Sequence, residues 1–139
     1  MQADWLARCA QIHRAIRWVP VDPDAPALAA LQALLKAAPL ERWAFLHHVD
    51  MPVWEEGLFA QLESAAERAQ EAGAEAVIPV CRGRAGHPIV LASKLSAAIE
   101  ALEPSSERLD AWLKSRKACR VDVPFACVLD NWNAGAPRL

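Results

Sequence analysis

No glycine precedes Gly57 in this chain of 139 residues, and only Gly73, Gly83, Gly86 and Gly135 follow it. A phosphate-cradling loop needs glycines clustered between a strand and a helix, so the Walker and dinucleotide-binding fingerprints are both excluded. No serine stands in a Gly-x-Ser-x-Gly setting, which removes the nucleophile elbow of the α/β-hydrolases. The cysteines, Cys9, Cys81, Cys119 and Cys127, form no Cys-x-x-Cys pair and lack a suitably spaced histidine, so they read as small buried hydrophobes rather than zinc ligands. An excess of one charge is missing too. With 15 Lys and Arg against 17 Asp and Glu the net charge is −2, without the basic footprint of a nucleic-acid binder. No run approaches the roughly eighteen apolar residues of a membrane span. The opening Met1-Gln2-Ala3-Asp4 lacks the charged-then-apolar order of a secretory leader, and a cytoplasmic protein is expected.

What is present is a core. At 54% hydrophobic and 23% charged residues the chain has enough apolar side chain for one folded domain over 1–139. Asp4 can cap a first helix, ending near His13, whose apolar positions include Leu6, Cys9, Ala10 and Ile12. Arg17 to Val21 reads as a short strand that Pro20 confines to an edge. Asp22-Pro23-Asp24 is a turn; Asp24 caps a helix carrying Leu28, Leu31, Leu34, Leu35 and Ala38, stopped by Pro39.

Trp43 to Val49 is apolar without alternation, the pattern of a central parallel strand buried on both faces. After Asp50-Met51-Pro52, a helix starting at Glu55-Glu56 carries Leu58, Phe59, Leu62, Ala66 and Ala69 and closes at Gly73. Ala76 to Cys81 is the next strand, followed by the tight turn Arg82 to Gly86 and the segment Ile89 to Leu91. Helices from about Ser93 and from Ser105 or Ser106 follow; Cys119 to Val123 and Ala126 to Leu129 read as closing strands. The alternation predicts a three-layer α/β fold: a mostly parallel sheet with helices on both faces.

Sheets of that kind bind ligands beyond the carboxyl ends of their strands, which singles out Asp50. Its carboxylate either accepts hydrogen bonds from the next helix's N-terminus or serves as a hard oxygen ligand for Mg²⁺ beside substrate phosphates. His47 and His48 point to opposite faces of a strand, so they cannot clasp one metal together, and packing near the strand end is expected of them. Arg82, Arg84, Gly86 and His87 lie in a basic glycine turn that reads either as an anion site or as an ordinary hairpin turn with solvated arginines. Asn131 and Asn133 offer amide oxygens to a metal or to turn backbone. The six tryptophans are dispersed, as packing residues are.

Three stretches, taken in order, resemble the MobA-like nucleotidyltransferases, the molybdenum cofactor guanylyl- and cytidylyltransferases and their relatives. Phe45-Leu46-His47-His48-Val49-Asp50-Met51-Pro52 is similar to the family's strand ending in Asp-x-Pro. Val77 to Leu91, with Gly86-His87-Pro88, is similar to its strand, Gly-His-Pro turn and apolar segment. Leu129 to Pro137, with Asn131-Trp132-Asn133, is similar to its Asn-x-Asn terminus. The resemblance covers roughly Arg17 to Leu139 and implies a nucleotide-diphospho-sugar-transferase-like fold truncated at the N-terminus. It also implies Mg²⁺ held at Asp50 and Asn133, and a nucleotide or other phosphate-bearing small molecule as substrate, with Arg82, Arg84, Gly86 and His87 toward the anion.

The departures are specific. The family's glycine-rich loop, of the form Leu-Ala-Ala-Gly-x-Ser-x-Arg-Met-Gly, has no counterpart, and Gly135-Ala136-Pro137 replaces a Pro-Glu-Asp. The expectation is therefore a nucleotidyltransferase-like protein that is incomplete or degenerate as an enzyme on its own. The alternatives are a non-catalytic binding module or one half of a split Mg²⁺-dependent enzyme. A homo-oligomer or a partner chain is expected to cover the sheet edge left bare.

Overall fold

The residues described by the structure, a computed structural model, are 17–48, 50, 51, 53 and 55–130. The predicted helix from Asp4 and the Asn131-Trp132-Asn133 turn lie outside them. Helix α1 (Ala27–Ala37) starts behind Pro26, at a position whose missing N–H has no partner inside a helix, and buries Leu28, Leu31 and Leu35 at helical spacing. Strand β1 (Trp43–Leu46) follows, then the long helix α2 (Glu56–Glu71) with Leu58, Leu62, Ala65, Ala66 and Ala69 buried. Gly73, at φ +73°, takes the left-handed conformation that ends it.

Strand β2 (Ala76–Cys81) turns through Arg82 and Gly83, both at positive φ, into β3 (Arg84–Ala85) and then β4 (Ile89–Ala92). Two successive positive φ values are what a two-residue hairpin turn needs to match the strand twist. A 3₁₀ turn (Ser93–Leu95) opens into α3 (Ser96–Glu100); α4 (Leu109–Leu113), β5 (Ala118–Asp122) and a closing 3₁₀ turn (Ala126–Leu129) complete the described chain.

The five strands form one mixed sheet. β1 pairs antiparallel with β4, and β2 pairs antiparallel with β4 and β3 and parallel with β5. β5 runs along one edge of β2 while β3 and β4 share the other. β1 and β5 are therefore the outer strands among the described residues. Alternation sends Val77 and Cys81 into a core with Leu58, Leu62 and Val128 under α2, and Ala76 into a second core with Leu31, Leu91, Leu95 and Ile99 under α1 and α3. Gln32 fastens the second layer, its Nε2 donating to the carbonyls of Ile99 and Leu102 at 2.9 Å each.

The α/β class, and the helices from Ala27 and Glu56 on opposite faces, agree with the sequence reading; the strand directions do not. Among the described residues a single pairing, β2 with β5, is parallel. Trp43–Leu46 is an outer antiparallel strand rather than a central parallel one, and Phe45 is 41% exposed with Phe59 as its edge-to-face neighbour at 5.1 Å. An unbroken apolar run signals apolar surroundings but not which strands supply them. Arg17–Val21 is not a strand; Pro20 removes a donor from it. Ala126–Leu129 is a 3₁₀ turn rather than a strand, and its Val128 carbonyl accepts from the His87 amide. The caps also moved: Asp22 accepts from the Asp24 amide at 2.9 Å, and Ser105 bonds Glu103 at 2.8 Å instead of capping α4.

Candidate functional site

β1 delivers His47, His48 and Asp50 to one end of the sheet. The chain turns there, the Met51 amide donating to the His48 carbonyl at 3.1 Å and the Met51 side chain staying buried. β4 is approached from the same end through His87, whose amide donates to the Val128 carbonyl at 2.9 Å. The β1–β4 register pairs Leu46 with Ile89, and two residues further on it sets His48 against His87. Their rings meet edge to face, with centroids 4.6 Å apart.

Burial holds the His87 imidazole below its ordinary pKa of 6.5; His48 and His47 push it the same way while Asp50 pulls against them. Burial likewise lowers His47, against a backbone hydrogen bond involving Met51; His48 adds to the lowering and Asp50 opposes it. Asp50 is thus within electrostatic reach of both histidines. Its carboxylate is half-buried and makes no hydrogen bond with a described residue. Helix α2 begins at Glu56 behind Glu55 with no side-chain cap, so the capping role weighed for Asp50 is not realised among the described residues.

The glycine turn divides. Arg82 and Arg84 are exposed in the hairpin. Gly86 is buried, and a Cβ there would stand 2.1 Å from the Val128 carbonyl oxygen, so the closing turn itself demands glycine. The structure therefore joins His87 with Asp50, His47 and His48, while Asn133 is outside the described residues. No group of three His, Cys, Asp or Glu that could hold a metal ion occurs among the described residues.

Beside this cluster a groove of about 1120 Å³ runs over the sheet between α1 and α4, with Leu46, Ile78 and Ile89 in its floor and His48 and His87 at one end. Arg120, on β5, lines it as well. Sequence reasoning missed both the histidine pair and Arg120's place here. The first needed the β1–β4 register; the second had one signal, an arginine alternating with the apolar Cys119, Val121 and Val123.

Asp50, His47, His48 and His87 thus gather beyond one end of the β1–β4 pair in an α/β layer fold. A sequence model of the MobA-like NTP transferase domain matches residues 4–121, and the chain belongs to that family. Among solved structures it is similar to the crystal structure of molybdopterin-guanine dinucleotide biosynthesis protein A from Archaeoglobus fulgidus. That match has 18% identity and a TM-score of 0.51 and covers 70% of this chain and 48% of the other, so the chain spans about half of that relative's length. At this identity the likeness speaks for the fold. No curated protein matches the sequence. The family match ends before Asn131 and Asn133.

Proposed function

We propose that the chain carries the Mg²⁺ and triphosphate end of a MobA-like nucleotidyltransferase and is incomplete as a catalyst on its own. The observation that supports this most is Asp50: a half-buried carboxylate, free of hydrogen bonds to described residues, beyond the end of a strand in a chain of this family. A lone carboxylate suits Mg²⁺, which takes one or two carboxylates, keeps several waters and lets substrate phosphates fill the remaining positions. Asp50, with Asn133 as the second candidate, would hold it, and the bound ion would supply charge neutralisation to a triphosphate whose α-phosphorus an acceptor attacks in line with loss of pyrophosphate. Burial lowers the pKa of His87 and His47 and so disfavours positive charge on them beside the carboxylate. Arg84 and Arg82 add positive charge on the hairpin, and Gly86 lets the strand approach Val128.

The sequence offers no glycine before Gly57, so the row of backbone amides that would cradle a triphosphate is not encoded in its first third. One preorganised donor to developing charge is worth about 2.7–4 kcal/mol, and losing several removes most of the rate. Calorimetric titration of the purified chain with GTP or CTP tests the reading. Nucleotide heat that requires Mg²⁺ and disappears in Asp50→Ala is expected, without turnover on a molybdopterin acceptor. Binding indifferent to Mg²⁺ or to Asp50→Ala contradicts it, and robust turnover by the chain alone contradicts the incompleteness.

A further inference from the structure

The groove over α1 and α4 has a charge balance that the Asp50 site does not use. It is lined by four full cations, Arg108, Lys114, Arg116 and Arg120, and two acids, Glu107 and Asp110. Asp110 is occupied by Arg108 at 3.1 and 3.3 Å, and Glu107 accepts from the Glu103 amide at 2.6 Å. Arg116 is committed as well, forked onto Glu75 at 2.8 and 2.9 Å and lying 5.1 Å over the Trp112 ring. The side chains of Arg120 and Lys114 remain, with no hydrogen bond or ion pair to any described residue.

Strand register sets Arg120 at the end of an apolar row. Leu46 pairs with Ile89 and Ile78 with Arg120; the β2–β4 register, carried one step past Val77 and Val90, puts Ile78 beside Ile89. All four line the groove. At about 4.8 Å between neighbouring strands the row is roughly 14 Å long, apolar for three positions and cationic at the fourth. Leu109 of α4 overhangs it and is half-buried.

We propose that this groove binds a small amphipathic anion whose apolar body lies across Leu46, Ile89 and Ile78 and whose acidic head meets Arg120 and Lys114. The complementarity is in both chemistry and length: an apolar floor withdraws hydrocarbon from water, and an unpaired guanidinium selects a planar or tetrahedral oxyanion. A carboxylate and a phosphate monoester share that head chemistry. Asp50 itself does not line the groove, and the proposal stands whether or not the nucleotide reading does.

Titration of the full chain with 1-naphthyl phosphate, 1-naphthoate, 1-naphthol and inorganic phosphate, read by calorimetry and by amide resonances, tests it. At least one of the two naphthyl anions is expected to saturate the chain and to shift Leu46, Ile78, Ile89 and Leu109, and the tighter of them identifies the head group. 1-Naphthol and inorganic phosphate should bind at least about tenfold more weakly, the scale of one lost charge-assisted hydrogen bond. Arg120→Ala should cost the anions about tenfold and leave 1-naphthol alone, Lys114→Ala should act in the same direction, and Asp50→Ala should change nothing. Equal binding of naphthol and the anions, shifts elsewhere on the molecule, or anion affinity untouched by Arg120→Ala overturns the proposal. Self-association of Arg120→Ala with unchanged affinity would make Arg120 a guard of the outer strand instead.

Discussion

His48 and His87 stack edge to face at 4.6 Å because the β1–β4 register, continued past Leu46 and Ile89, sets them opposite each other. Two imidazoles so close resist being charged together, and burial of His87 adds to that resistance. A histidine whose folded-state pKa lies below its unfolded 6.5 contributes stability that is present above that value and lost as the pH falls through the lower one. In NMR titrations the His87 ring should change protonation below the free-histidine value, and His48→Gln should move its midpoint upward. A His87 midpoint at or above 6.5 would contradict the arrangement.

Gly86 and Gly83 share a hairpin and differ in what surrounds them. At Gly86 a methyl would meet the Val128 carbonyl oxygen at 2.1 Å, a backbone atom that moves only if the closing 3₁₀ turn moves. At Gly83, φ +76°, nothing lies within 4 Å. Gly86→Ala should therefore cost roughly 1–3 kcal/mol by overpacking, and about 1 more if the His87 amide loses Val128. Gly83→Ala should cost about 1–2 kcal/mol from its left-handed backbone alone. Urea unfolding of the two variants checks both costs, and a Gly86→Ala midpoint equal to the parent's would refute the contact.

Local pattern was legible where one residue type decides the geometry. Gly73 as a helix terminator, the strand Ala76–Cys81 and the apolar face of α2 follow from positive φ, length and period. Strand direction was not, because the apolar character of Trp43–Leu46 is equally compatible with either pairing and its partner, β4, lies some forty residues away along the chain. Asp50 was singled out by its place after a strand, whereas the meeting of His48 with His87 was not legible, since His87 arrives through tertiary register. Asn133 falls outside the described residues.

Leu62 and Leu34 test whether helical period alone identifies core. Both sit on apolar stripes, yet Leu62 is fully buried under the sheet while Leu34 is 43% exposed on α1. Leu62→Ala should destabilise by about 2–5 kcal/mol, transfer loss plus residual cavity. Leu34→Ala should fall within about 0.5 kcal/mol of the parent. Comparable losses in chemical denaturation would mean that Leu34 is covered in solution.

Glu75 and Arg116 tie the start of β2 to the segment entering β5. The carboxylate takes both guanidinium nitrogens, at 2.9 and 2.8 Å, and accepts from the Lys117 amide at 3.4 Å. Desolvation would raise the Glu75 carboxyl, but the Arg116 hydrogen bonds, the Lys117 amide and the nearby Arg116 and Lys94 charges together hold it below its ordinary 4.5. The unfolded chain then binds the proton more readily than the folded one, so stability rises with pH across this window. The contribution is complete above about 4.5 and fades as the pH drops through the lower folded value. Glu75→Gln should consequently be less stable than the parent at neutral pH, and the gap should narrow steadily in acid. A gap that stays constant from pH 7 to acid would mean that the carboxylate's charge contributes nothing there, and that packing alone holds Arg116 over Trp112.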